Sequence, residues 1–164
     1  MPPRPKALTE SDVMRLPPMI WGVIRWPKGL GAPVGDAASG FVVTCQEHTA
    51  TQFRIGPAGP EPIPGTGVWK SAVTVPCAAA PDEGNLHVVR FSVPGVHLNA
   101  FPDGKYRVVA ELTGNWSESR IDRMLGYRRI DPPAWYVSLT KANHLVSVDF
   151  VVVHEAWRAS FAGP

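Results

Sequence analysis

Cysteine is almost missing from this chain: Cys45 and Cys77 are the only two among 164 residues. With no C-x-x-C and no zinc-ligand spacing, they frame neither a disulfide scaffold nor a structural zinc site. Pairing with each other is open to them, and against it they read as two buried free thiols. Charge is scarce as well. Charged residues make up 18% of the chain and the formal net charge is +2, which supplies no basic field for nucleic acid. No segment near the start approaches the ~20 apolar residues of a membrane helix. The nearest candidate, Pro17 to Ile24, is broken by two prolines and a glycine. The opening residues MPPRPK lead into nothing like the ~7–15 apolar residues of a secretory signal. The expectation is therefore synthesis in the cytoplasm with no membrane insertion, in keeping with a virion or extracellular assembly, and with the final location unknown.

Proline and hydrophobic residues are what the chain has in quantity. Its 18 prolines are about twice the ~5% of an average protein. Proline removes a backbone donor and breaks helix interiors, so a helical bundle is excluded. Hydrophobic residues amount to 45%, enough for one domain of this length to bury a sizeable core without disulfides.

Period-2 alternation bounded by turn residues marks half-buried strands, and seven segments carry it or its composition. Met19 to Trp26 is β-branched and aromatic and stops at Pro27-Lys28-Gly29. Phe41 to Gln46 sets Phe41, Val43 and Cys45 on one face. Val68 to Val75 groups Trp69, Val73 and Val75, and Leu86 to Val93 turns Val89, Phe91 and Val93 inward. Lys105 to Leu112 aligns Tyr106, Val108, Ala110 and Leu112. Ala134 to Thr140 is the sixth run. Leu145 to Val153, with Val146, Val148, Phe150 and Val152 on one face, is the seventh. The expected fold is all-β, a single antiparallel β-sandwich of about seven strands.

Three stretches fall outside this pattern. Residues 1–18 form a proline-rich N-terminal arm that ends where the sandwich domain, 19–153, begins, and residues 154–164 make a C-terminal extension. Ile55 to Gly67, with four prolines and four glycines, reads as a long loop. Ser117 to Leu125 is the clearest helical stretch, with Ile121, Met124 and Leu125 on one side, and Thr9 to Leu16 in the arm is compatible with a short helix capped by Thr9 or Ser11.

The turns and strands together resemble a known family. Gly22-Val23-Ile24, Gly31-Ala32-Pro33-Val34 and Phe41-Val42-Val43-Thr44 look like the opening of carboxypeptidase regulatory-like (prealbumin-like) domains. Phe91-Ser92-Val93-Pro94-Gly95-Val96 and Phe101 to Val108 look like their later segments, and Val146 to Phe150 is similar to the closing strand. The resemblance covers about Met19 to Val153 and implies a prealbumin-like sandwich with an accessory role and no catalytic residues. Two enzyme groups that share the general sandwich are excluded by missing motifs. The Tyr-Arg-Gly-Ser of hydroxyisourate hydrolases does not occur, nor does the His-x-His pair of intradiol dioxygenases.

Chemistry-bearing motifs are thin. The five histidines are scattered, and Ser71, Ser92 and Ser138 have no nucleophile elbow around them. Gly65 to Ser71 ends in Lys-Ser but lacks the glycine spacing of a phosphate loop. Arg120, Arg123, Arg128 and Arg129 read as a solvated basic face. No catalytic, cofactor-binding or metal-binding residue is assigned, and the chain is expected not to be an enzyme. Six tryptophans exceed what one sandwich core needs, and extra ones stack on sugars or anchor protein interfaces. The candidate interaction residues are Leu8, Val13, Met14 and Leu16 in the arm, Trp26, Trp116 and Trp135 at strand ends, and Trp157 and Phe161 in the tail. They support a structural or interaction subunit of a larger assembly, such as a virion or filament. Its partners would be other copies of itself or other subunits, reached through the arm and through edge strands. The alternative is a carbohydrate-binding module that holds a glycan on exposed tryptophans.

Overall fold

The structure, a computed structural model, describes residues 16–48, 52–64, 67–98, 104–117, 120–125 and 127–154. Most of the arm and nearly all of the tail lie outside these residues. Among the described residues there are eleven strands: β1 (Met19–Pro27), β2 (Phe41–His48), β3 (Phe53–Gly56), β4 (Gly59–Pro62), β5 (Trp69–Val75), β6 (Ala78–Glu83), β7 (Leu86–Val93), β8 (Gly104–Leu112), β9 (Arg128–Asp131), β10 (Ala134–Leu139) and β11 (Leu145–His154). The last strand thus takes in His154, one residue beyond the expected domain boundary. Among the described residues there is one α-helix, α1 (Arg120–Leu125), inside the expected 117–125, of which residues 118 and 119 lie outside the described residues. Its Met124 points to solvent, not inward.

The strands form a five-stranded sheet ordered β6-β7-β1-β11-β9, a four-stranded sheet ordered β10-β8-β2-β5, and the separate hairpin β3-β4. All seven runs read from the sequence become strands of the two large sheets, and β6 and β9 are added at the edges of the larger one. Every ladder is antiparallel except β1–β11, which runs parallel from Met19↔Leu145 to Arg25↔Val151.

Alternation decides what goes inside. Ile20, Ile24 and Trp26 of β1 meet Val89, Phe91 and Val93 of β7 and Val148, Phe150 and Val152 of β11. From the other sheet come Phe41, Val43 and Cys45 of β2, Tyr106, Val108 and Ala110 of β8, and Val137 and Leu139 of β10. All belong to one buried cluster, so the two sheets share a single core in a sandwich-like arrangement. Gly22 sits at its centre without a side chain. A methyl there would run into the Val148 carbonyl oxygen and the Phe91 ring.

Two sequence expectations are corrected. The Ile55–Gly67 loop is largely the hairpin β3-β4, because a turn at Pro57-Ala58 lets Gly56 face Gly59. Trp69 does not share a face with Val73 and Val75. The β2–β5 register shifts between Cys45 and Gln46, pairing Cys45 with Val73 and Gln46 with Ser71, so Ala72 is an extra residue. A bulge of this kind reverses the facing of everything beyond it, and Trp69 emerges on the outer surface.

Candidate interaction surfaces

The tryptophans separate into distinct environments. Trp26 is fully buried, 0% exposed, and is corrected from a surface candidate to a core residue. It shares the inward parity of Ile20 and Ile24, and its indole N–H donates to the Gly31 carbonyl at 3.0 Å. Phe41, His87 and Trp116 surround it with ring centroids 5.2 to 5.6 Å away. Trp116 is half-buried and donates to the Gly40 carbonyl at 2.8 Å. Arg128 lies over its outer face at 4.9 Å and also donates to the carbonyls of Leu30 and Ser117. Arg128 is therefore part of the packing at this end, whereas Arg120 and Arg123 are exposed. Trp135, 37% exposed, covers the open edge between the sheets and donates to the Asp149 carbonyl at 2.6 Å. These three side chains are tied to separate backbone carbonyls and form no common platform.

Leu16 is exposed and lines an apolar pocket of about 200 Å³ with Pro17, Pro18, Met19, Pro94, Gly95 and Leu145. Leu8, Val13, Met14, Trp157 and Phe161 lie outside the described residues.

The bulge creates a surface that alternation alone hides. On the outer face of the four-stranded sheet, Trp69 meets His48 at 4.9 Å and Tyr136 at 5.7 Å, both edge to face. The Arg107 guanidinium sits 4.7 Å from the Trp69 ring centroid, and its Nε donates to Gln46 Oε1 at 2.7 Å. Tyr136, Arg107 and Gln46 are register partners across β10, β8 and β2, so one row of the sheet presents them together. Tyr136 is 67% exposed. The outer face of the five-stranded sheet is different in kind, an ion-pair lattice. Arg25 bridges Glu83 at 2.7 Å and Asp149 at 3.5 Å, and Lys28 meets Asp82 at 3.1 Å. The Glu83 hydrogen bond holds Arg25 above its ordinary value, and hydrogen bonds from Lys28 and then His87 hold Asp82 below its own.

The hairpin is the most exposed apolar feature. Phe53 is 59% and Ile55 93% exposed, and both register with exposed prolines, Phe53↔Pro62 and Ile55↔Pro60. These four side chains share one face, while Arg54 and Glu61 pair on the other at 3.6 Å. The backbone polarity of its edges follows from one bond. Ile63 N–H donates to the Gln52 carbonyl at 2.8 Å. Bonded and non-bonded pairs alternate along an antiparallel ladder, so Arg54/Glu61 and Gly56/Gly59 are bonded and Phe53/Pro62 and Ile55/Pro60 are not. The main-chain groups of the non-bonded residues therefore point away from the partner strand. On β4 those residues are prolines, which have no N–H, so its free edge offers carbonyls only. On β3 they are Phe53 and Ile55, whose N–H and C=O both face outward.

Among the described residues no set of three or more His, Cys, Asp or Glu side chains is placed to hold a metal ion. Both cysteines are free. Burial, with a smaller contribution from the Glu47 charge, pushes the Cys45 thiol up to about 12, and burial pushes Cys77 up to about 11. Each stays protonated and weakly nucleophilic at neutral pH. No helix among the described residues is long and apolar enough to cross a membrane. Comparison with known proteins finds no matching family model, no similar curated protein and no similar solved structure.

Proposed function

We propose that the chain is a non-catalytic, prealbumin-like interaction subunit of a larger assembly, such as a virion or filament. The observation that carries this reading is the hairpin β3-β4. It presents Phe53, Ile55, Pro60 and Pro62 to solvent on one face, and among the described residues no second sheet packs over them. Exposed apolar patches rimmed by charge mark interaction sites in stable proteins. The proline content of the arm supports a second attachment point, since proline lowers the entropy lost when a segment is fixed by a neighbour. The test is solution mass and melting temperature for the intact chain and for a chain lacking residues 1–18. Association or partner-dependent stabilisation is expected, with loss of part of it on truncation. Two monomers of equal melting temperature and no recoverable partner would refute the assembly reading.

One observation favours the carbohydrate alternative. Tyr136 of β10 and Trp69 of β5, with Arg107 of β8, offer an aromatic notch beside a fixed cation, a combination suited to an acidic sugar. Quenching of tryptophan fluorescence by an acidic polysaccharide, lost in Tyr136→Ala, is the outcome that reading requires.

A further inference from the structure

We infer that β3 pairs edge to edge with β3 of a second copy of this chain, antiparallel and centred on Arg54, a contact that rests on the assembly reading above. Four observations select this occupant. The outward N–H and C=O groups of Phe53 and Ile55 are self-complementary. With Phe53 opposite Ile55 of the second copy, each residue donates to and accepts from the other, the bonded pair of an antiparallel ladder. Addition is possible on one side only, because Pro60 and Pro62 leave the β4 edge without donors. The product therefore stops at four strands across a two-fold axis instead of growing. The side chains agree with the backbone. Phe53 and Ile55 lie on the same face as Pro60 and Pro62, so pairing doubles one continuous apolar face. Charge opposes it at one point, where Arg54 meets Arg54 of the second copy as like charges directly opposite, each already paired with its own Glu61 at 3.6 Å. Among the described residues no strand besides β4 pairs with β3.

The register makes the contact testable at single residues. Arg54 would face its own counterpart in a non-bonded pair, with Cα atoms about 4.5 Å apart, inside the ~4.4–6.8 Å range of a disulfide. Phe53 would be only a diagonal neighbour of its counterpart, about 7–8 Å away, outside the ~4.4–6.8 Å range of a disulfide. Ile55→Pro removes an outward N–H without touching a β3–β4 bond, because position 55 belongs to a non-bonded pair.

The experiment is sedimentation velocity on the full chain up to about 1 mM, with oxidative cross-linking of Arg54→Cys and Phe53→Cys, and melting curves to establish that each variant folds. The unaltered chain is expected to associate reversibly. Ile55→Pro is expected to remain monomeric with an unchanged melting temperature, and Arg54→Cys to cross-link while Phe53→Cys does not. A monomer at every concentration, association undiminished in Ile55→Pro, or equal cross-linking of both cysteine variants would overturn the inference. If Ile55→Pro still associates but removal of residues 1–18 abolishes it, the inference falls and the assembly reading stands. Two monomers that recover no partner would remove both.

Discussion

Ile24 in β1 and Ile55 in β3 are the same residue in the same kind of backbone, yet one is 0% and the other 93% exposed. Both strands belong to sheets, and both alternate apolar residues with others. The difference is the second layer. β1 is flanked by β7 and β11 and faced by the four-stranded sheet, so Ile24 is removed from water on every side. Among the described residues the hairpin β3-β4 has one ladder and no facing sheet. A strand pattern therefore specifies which side chains share a face, and tertiary stacking determines whether that face is dry. A fully buried isoleucine contributes about 1.5–3 kcal/mol relative to an exposed one, and Ile55 contributes little of that within the monomer.

Substitutions on the two sides of this contrast should separate by an order of magnitude. The largest effect is expected for Phe150→Ala, which empties the centre of the core beside Phe91. Chemical denaturation should show a loss of roughly 3–5 kcal/mol. Gly22→Ala comes next, because the added methyl meets the Val148 backbone as well as the Phe91 ring. Overpacking of this kind costs roughly 1–3 kcal/mol, and a stability unchanged from the parent would show that β1 and β11 are not in the register described.

A pH series examines the core from a different direction. Cys45 and Cys77 have folded-state values near 12 and 11, against an ordinary value of 9.0. Above pH 9 the unfolded chain loses thiol protons that the folded chain retains. Stability is thus full below pH 9 and is lost progressively as pH rises toward 11 and then 12, with a limiting slope of about 1.4 kcal/mol per pH unit for each thiol. A stability flat across that window, or a thiol at position 45 that reacts rapidly with a disulfide reagent at neutral pH, would contradict the burial assigned to these residues. The smallest effect is expected for Ile55→Ser. In the monomer it should change stability by no more than about 0.5 kcal/mol. A loss near that of Gly22→Ala would mean that the hairpin is packed against its own domain.

The sequence was informative where alternation was uninterrupted. Ile20, Ile24 and Trp26 share one parity, which was sufficient to place Trp26 inside; weighing it as a surface platform overlooked that signal. Trp69 was not legible, because the extra residue Ala72 reverses its facing and a bulge of this sort has no fixed sequence mark. β6 reads Ala-Ala-Ala-Pro-Asp-Glu and β9 has four residues, so neither shows a period. They form because β7 and β11 offer edges. The hairpin was hidden by its composition, since Gly-Pro-Glu-Pro is typical of loops. The usable signal was the spacing of Pro60 and Pro62, two apart, which fits the outward positions of an edge strand. For the candidate surface, the arm and tail residues gave direction without geometry, and Arg107 and Tyr136 became notable only once the sheet set them side by side.

The parallel pairing of β1 with β11 has a consequence for how the chain is made. β1 is the first described strand to leave the ribosome and β11 the last, and they lie side by side in the middle of the larger sheet. Until Leu145 to His154 has been synthesised, β1 can pair only with β7, and its other flank is an unprotected apolar edge. The sheet is thus completed from its centre only once β11 has been made, not built outward from it. Contacts of such long sequence separation fold slowly and expose the intermediate to association. A nascent chain stalled before residue 145 therefore offers neighbouring chains a ready template, and the closing strand serves as the step that withdraws it.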